Sequence, residues 1–293
     1  MQYYLVKCIS RIVCCLPAGI RRGLGTLIGR LCWPLVPAKR KKMATANIKR
    51  SLGVDEYRAS LLAKASAVRF GPMFMEVLHM PRLTPENIGN YVKLTGQEHL
   101  EDALKLGRGA VLATAHSGNW ELLGAALAMH GFPLVAVVQR QTSHAMDKFI
   151  NEYRTKAGMH VTYKTGVREM VKLLCGGKII GLLMDQDNRR HGVFVEFFSR
   201  PASTPQGAAA LGRLNHAPIV PAFITTNPDG THTAIIHPPV MAEKTADRDH
   251  DILVTTQKLT QIIENHIRQY PQEWFWLHNR WKTPPPAGKT IGG

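Results

Sequence analysis

A chain of 293 residues can bury one sizeable core, and one globular domain with a small appendage is the expected count. Its net charge of +16 suits an anionic partner, such as a membrane surface or an acidic carrier protein; with no zinc-ribbon spacing, P-loop or RNA-binding aromatic signature, no nucleic-acid partner is expected. The five cysteines are odd in number and four fall in the first 32 residues, which argues against a disulfide framework and for a reducing compartment.

Residues 1–38 carry a heavy apolar load, including Leu5, Ile9, Ile12, Leu16, Ile20, Leu24, Leu27 and Leu31, interrupted by Lys7, Arg11, Arg21, Arg22 and Arg30. No charge-free run reaches the ~18 residues of a spanning helix. The pattern predicts an amphipathic helix lying in a membrane interface, with a soluble helical pair packed on the domain as the alternative. Cys14-Cys15 reads either as a juxtamembrane acylation site or as plain helix surface. Lys39-Arg40-Lys41-Lys42 then reads as a headgroup contact or as a solvated helix face. Residues 43–80 look helical throughout, and the stripe Met73, Phe74, Met75, Met80 reads as core or as the wall of an apolar tunnel. These divisions predict a membrane-associating segment at 1–42, an α/β domain at 43–284 and a loose tail at 285–293.

From residue 90 onwards strands and helices alternate. Strands are expected at 91–94, 110–114, 134–138, 161–163, 179–184, 193–197, 219–224 and 233–236, and helices near 97–106, 118–130, 143–157, 166–175, 204–215 and 248–270. The fold class is therefore α/β, with a mixed, mostly parallel central sheet flanked by helices.

Chemistry concentrates at Ala115-His116-Ser117-Gly118-Asn119-Trp120-Glu121, between a buried apolar strand and a helix that stops at Gly131. Such strand-to-helix turns collect ligands in open α/β sheets. His116 and Glu121 are five apart, about 140° on a regular helix, so they converge only if His116 precedes the helix. In that arrangement the imidazole serves as general base and the carboxylate orients it. The spacing alone is weak: chance allows about one such pair with 13 His and 21 acidic residues, and His191 with Glu196 makes a second. A polar turn with a capping Ser117 and a core Trp120 is the competing reading.

Further along, Asp185 ends an apolar strand near where His116 falls, and Asp185, Asp187 and His191 can also be read as metal ligands. Their spacing matches no zinc pattern, so no metal is expected. Arg140 closes a strand, Arg154 lies on a helix, and Arg200 follows an aromatic segment as a candidate for an acceptor phosphate. Thr204 and Pro205 are expected to start the helix that follows. The terminal cluster of Trp274, Phe275, Trp276 and Trp281 with His278, Arg280 and Lys282 fits either a membrane interface or the core.

The run from Ala115 to Gly124 resembles the signature of the bacterial lipid A biosynthesis acyltransferases of the late, lauroyl and myristoyl type. Three further stretches agree in type and order: Gly181-Leu182-Leu183-Met184-Asp185-Gln186-Asp187, the segment 192–205, and His278-Asn279-Arg280-Trp281-Lys282. The resemblance covers essentially the whole chain. It implies a glycerolipid-acyltransferase-like fold, an acyl carrier protein thioester as donor, a phosphorylated, acylated glucosamine disaccharide as acceptor, no cofactor, and a place on the cytoplasmic face of the inner membrane among anionic lipids. It also implies functional roles for Arg154 and Asp185, beside His116 and Glu121; Asn119, Arg140 and Arg200 complete the substrate-binding candidates. Relatives are usually described with one N-terminal membrane helix, whereas the charges within residues 1–38 favour attachment to one leaflet. Acylation of another membrane lipid, such as a phosphatidylinositol mannoside, is the alternative within enzymes, and a non-catalytic basic membrane-binding protein the alternative outside them.

Overall fold

The computed structural model describes residues 2–286, so the expected tail at 285–293 lies almost entirely outside the described residues. The chain up to residue 79 is helical: α1 (Gln2–Cys15), α2 (Ala18–Cys32), α3 (Ala38–Leu52), α4 (Glu56–Val68) and α5 (Phe70–His79). The single interfacial helix expected over 1–38 is thus two helices, broken at Pro17, whose ring forbids the intrahelical hydrogen bond there. The continuous helix expected over 43–80 is likewise divided. Gly53, in the left-handed region at φ 67°, ends α3, and Asp55 caps α4 by accepting from the Arg58 N–H.

The remainder alternates β1 (Val92–Thr95), α6 (Gln97–Lys105), β2 (Ala110–Thr114), α7 (Trp120–Met129), β3 (Leu134–Val138), α8 (His144–Lys156), β4 (His160–Tyr163), α9 (Val167–Cys175) and β5 (Ile179–Leu183). A hairpin, β6 (Val193–Glu196) and β7 (Pro201–Thr204), precedes α10 (Gly207–Asn215), β8 (Ile219–Thr226), β9 (His232–Ile236) and α11 (Arg248–Gln269). Seven strands form one sheet in the order β1-β9-β8-β2-β5-β3-β4, parallel except for the antiparallel β8–β9 pair. This is the mixed, mostly parallel sheet that the alternation predicts.

Successive residues of β2 feed opposite sides of the sheet, as the two-residue period of a strand requires. Ala110 and Leu112 join a core with α1, α5, α6, α7 and α8, while Val111 and Ala113 join one with α3, α4, α9, α10 and α11. Every residue of β2 is buried, the signature of a central parallel strand.

β7 occupies residues where a loop and a helix start are expected. Thr204 is a strand residue, α10 begins only at Gly207, and Gln206 stands at its N-cap. The hairpin turn holds two non-glycine residues at positive φ, Phe198 and Ser199, an uncommon arrangement that composition does not announce. The terminal cluster also resolves: Trp274 and Trp276 are buried in the core. Arg280, equally buried, donates to the Ser203 carbonyl and the Thr204 hydroxyl with its guanidinium near the Phe197 ring, fastening the C-terminal segment to the hairpin.

Candidate active site

β2 and β5 pair in parallel, Thr114 opposite Leu183, so the turns that follow them emerge side by side. They bring together His116 and Asp185. The imidazole Nδ1 lies 2.8 Å from Asp185 Oδ1, and the His116 backbone N–H donates to Oδ2 at 3.0 Å. The Trp274 indole N–H donates to the same Oδ2 at 2.7 Å. Burial alone raises the Asp185 carboxyl; the charge of His116 and the hydrogen bonds from His116 and Trp274 outweigh it and hold the group at about 2. An ionised Asp185 beside Nδ1 fixes the tautomer that leaves Nε2 unprotonated.

The carboxylate on His116 is therefore that of Asp185, where the five-residue spacing predicts that of Glu121. Glu121, one residue into α7, instead receives both Nε and Nη2 of Arg154, at 2.8 and 2.5 Å. Both side chains are about nine-tenths buried, and Arg154 donates further to Asn151 on its own helix. The pair is bidentate, a geometry that a lysine does not reproduce.

The turn itself is held from three sides. Gly118 sits at φ 59°, and a Cβ there would lie 1.9 Å from the Ile224 carbonyl oxygen, so glycine is required on two counts. From the C-terminal segment, the Gly118 N–H donates to the Glu273 carbonyl and the Phe275 N–H to the His116 carbonyl, with a bridge between Ser117 and Trp274. From the end of α4, the guanidinium of Arg69 donates to the carbonyls of Gly118, at 2.8 Å, and His116, at 3.3 Å. Ser117 Oγ meets His266 Nε2 at 3.2 Å and does not cap the helix. Asn119 does so, accepting from the Leu122 N–H.

The remaining candidates separate cleanly. Asn119 is buried, and its amide nitrogen donates to Glu76, so it supports α7 and presents nothing to a substrate. Arg200 is engaged by Asn47 and Ser51 and lies over the Trp281 ring at 3.3 Å, with burial pulling it down to about 10; it is no free phosphate ligand. Arg140 is exposed at the end of β3 and stacks on Tyr163. Asp187 accepts from Thr283, and its own N–H donates to His278 Nε2, so it makes no hydrogen bond to the His116 ring.

Beside the turn lies an apolar cavity of about 260 Å³, walled by Phe70, Met73, Phe74 and Val77 of α5 and by Met146 and Ile150 of α8, with Trp120, Glu121 and Arg154 at one end. The Trp120 ring packs edge-on against His116, centroids 5.0 Å apart. A smaller cavity, about 70 Å³, reaches from the same three residues towards Gly124, Met159 and Gly181.

Trp274, Arg69 and Glu76 escape sequence reasoning. A lone charge within the apolar run Val68-Arg69-Phe70 is a usable signal for Arg69, because an apolar surrounding tolerates an arginine only with partners. Nothing local singles out Trp274 from its neighbouring tryptophans.

An imidazole polarised by a buried carboxylate, open on its other nitrogen and adjacent to an apolar cavity, has the parts of an acyltransferase that activates a hydroxyl. The comparisons agree with that class, and the protein is an acyltransferase. The family model described as bacterial lipid A biosynthesis acyltransferase matches residues 1–283, and the chain belongs to that family. Among curated proteins, it is 28% identical over 225 residues to the phosphatidylinositol mannoside acyltransferase of Mycolicibacterium smegmatis, covering 75% of this chain and 72% of that protein. It is 26% identical to the lipid A biosynthesis lauroyltransferase of Escherichia coli (68% and 64% covered) and 24% identical to the palmitoleoyltransferase of the same organism (94% and 89%). The 1-acyl-sn-glycerophosphate acyltransferase of Thermotoga maritima aligns at 12% identity with a TM-score of 0.39, over 84% of this chain and 97% of that one, too distant to carry an argument.

Proposed function

We propose that the protein transfers a fatty acyl chain from an acyl carrier protein thioester to a hydroxyl of a phosphorylated glucosamine-disaccharide lipid, at the cytoplasmic face of the inner membrane. The observation that carries this reading is the His116–Asp185 contact beside the apolar cavity. His116 Nε2 takes the hydroxyl proton, and the freed oxygen attacks the thioester carbonyl. The carbon–sulfur bond of the tetrahedral intermediate then breaks, and the carrier's thiolate leaves with the proton held by His116. Asp185 stays ionised throughout and stabilises the imidazolium. No acyl-enzyme forms.

Glu121 and Arg154, at the junction of the two cavities, line the place where acceptor and acyl chain meet. The backbone N–H groups of His116 and Gly118 are already engaged, so an oxyanion is left to the first N–H groups of α7. Membrane attachment is assigned to α1 and α2, which expose Leu5, Ile9 and Ile12, and Ile20, Leu24 and Leu27. Among the described residues no helix is long and apolar enough to cross a membrane, which supports attachment to one leaflet.

The identity to phosphatidylinositol mannoside acyltransferases, slightly above that to the lipid A enzymes, supports a second reading in which the acceptor is a different phosphorylated glycolipid. Mass spectrometry of detergent-solubilised protein with acyl carrier protein thioesters, offered tetra-acylated lipid A precursor or a phosphatidylinositol mannoside, separates the two. A product one acyl group heavier from the first acceptor supports the primary reading, product from the second alone replaces it, and product from neither rejects both acceptors.

A further inference from the structure

The two faces of α5 border different cavities. Phe70, Met73, Phe74 and Val77 face the apolar one beside the His116 turn, whereas Pro72, Met75, Glu76 and His79 face a second one of about 120 Å³ that also carries ionisable side chains. The second cavity is bounded elsewhere by the first turn of α2, by Leu83, Tyr91 and Leu122, and by Asp229 and Gly230 of the β8–β9 turn. None of its polar groups belongs to the proposed reaction.

Two guanidinium groups and two carboxylates line it, beside the start of a helix. α2 starts with no side-chain cap and no acidic residue in its first turn, and Ala18 and Gly19 of that turn line the cavity with free helix N–H groups. Arg21 and Arg22 line it too, and their guanidinium hydrogen bonds go to backbone carbonyls, those of Leu16 and Pro228. The two carboxylates present are already engaged: Glu76 accepts from Asn119 and His232, and Asp229 from Thr231. His79 and His232, both more than nine-tenths buried, also line it, and among the described residues His232 Nδ1 has no partner. Burial, with Arg21 and Arg82 nearby and Glu76 opposing them, drives His79 down to about 4, so it stands neutral.

The outer face of α2 beyond this cavity exposes Ile20, Leu24, Leu27, Ile28 and Leu31. A phosphate carrying acyl chains matches both features, its oxygens at the guanidinium groups and helix N–H groups and its chains along α2. We infer that the cavity between α2, α5 and the β8–β9 turn is a second binding site, for the phosphate group of an anionic phospholipid, separate from the His116 turn. Its wall is mechanically connected to that turn. Glu76 holds the Asn119 amide, and Asn119 caps α7, the helix of Glu121, so an occupant that displaces Glu76 also acts on the cap.

The test uses the full-length protein in detergent with ¹³C-labelled histidine, the His79 resonance being assigned with His79→Gln. Dihexanoyl phosphatidylglycerol and inorganic phosphate are titrated separately into wild type and the Arg21→Ala/Arg22→Ala double variant, the remaining histidine resonances reporting that the variant is folded. The site predicts a saturable shift of His79 with the lipid, weakened at least about tenfold in the double variant, the loss expected when charge-assisted hydrogen bonds to phosphate are removed. If inorganic phosphate moves the same resonance, the phosphate alone is recognised; if only the lipid does, the acyl chains contribute. No saturable shift with either, or equal affinity in the double variant, overturns the proposal. Should the double variant misfold, Arg21→Gln alone carries the same comparison. No turnover is measured, so failure here leaves the acyl-transfer reading untouched.

Discussion

Trp274 donates its indole N–H to Asp185 at 2.7 Å across 89 residues of sequence, and through that carboxylate it reaches His116. The same C-terminal segment pairs its backbone with the turn at Gly118 and His116, so the end of the chain and the strand-to-helix turn form one unit. Trp274→Phe removes one of the donors to a buried carboxylate and leaves a smaller ring in the core. It is expected to cost about 1–3 kcal/mol of stability and to lower kcat more than it raises KM. Thermal unfolding and steady-state kinetics check both.

Glu121 and Arg154 form a buried bidentate pair, so removing either partner strands a charge. Glu121→Ala and Arg154→Ala are each expected to destabilise by about 3–5 kcal/mol, and the Glu121→Gln/Arg154→Met double variant by less than the sum. A double-mutant cycle measured by chemical unfolding gives the coupling. Because the pair lines the cavities, the folded double variant should show a raised KM for the acceptor.

Two close approaches of glycine set the seat of α2. A Cβ on Gly71 would fall 1.9 Å from the Gly25 carbonyl oxygen, and one on Gly29 would fall 2.2 Å from that of Val68. Gly71→Ala is expected to push α2 off α5 at roughly 1–3 kcal/mol, the usual cost of overpacking. Faster amide exchange and proteolytic nicking near Pro17 would register the displacement; an unchanged exchange pattern over α2 would contradict it.

Stability should fall in mild acid. Burial, aided by nearby positive groups, lowers His79 to about 4 and His266 to about 3, while an unfolded histidine titrates near ~6.5. Between these values the unfolded chain binds more protons than the folded one. The stability these neutral histidines allow is therefore complete above about pH 6.5 and is lost as pH falls towards 4 and then 3. Tm measured from pH 7 to 4 should drop steeply, and His266→Gln should flatten the drop.

The sheet is legible because β2, β3 and β5 are short apolar runs bounded by turn residues, although runs buried on both faces carry no period that fixes their order or register. The position of His116 before α7, and of Asp185 after β5, followed from the same pattern. What sequence could not supply was partnership. Spacing offered Glu121 to His116 because the two are close in the chain, yet parallel pairing of β2 with β5 brings Asp185 to the imidazole while α8 takes Glu121 through Arg154. β6 is legible as a strand, but its hairpin partner β7 is not, because the turn between them uses Phe198 and Ser199 at positive φ where glycine or asparagine would announce it. Arg200 looked like a phosphate ligand on composition alone; its contacts with Asn47, Ser51 and Trp281 depend on α3 and the C-terminus folding back to it.

The most direct test is the steady-state rate of Asp185→Asn beside wild type and His116→Ala, measured as acylated lipid by mass spectrometry over a range of acceptor concentrations. Asparagine keeps the size and still accepts from Trp274, but it no longer fixes the tautomer or stabilises the imidazolium. A fall in kcat on the order of 10²–10⁴ at nearly unchanged acceptor KM, with no product from His116→Ala, is the expected result. Asp185→Asn turning over at the wild-type rate would contradict the assignment of Asp185 to the base.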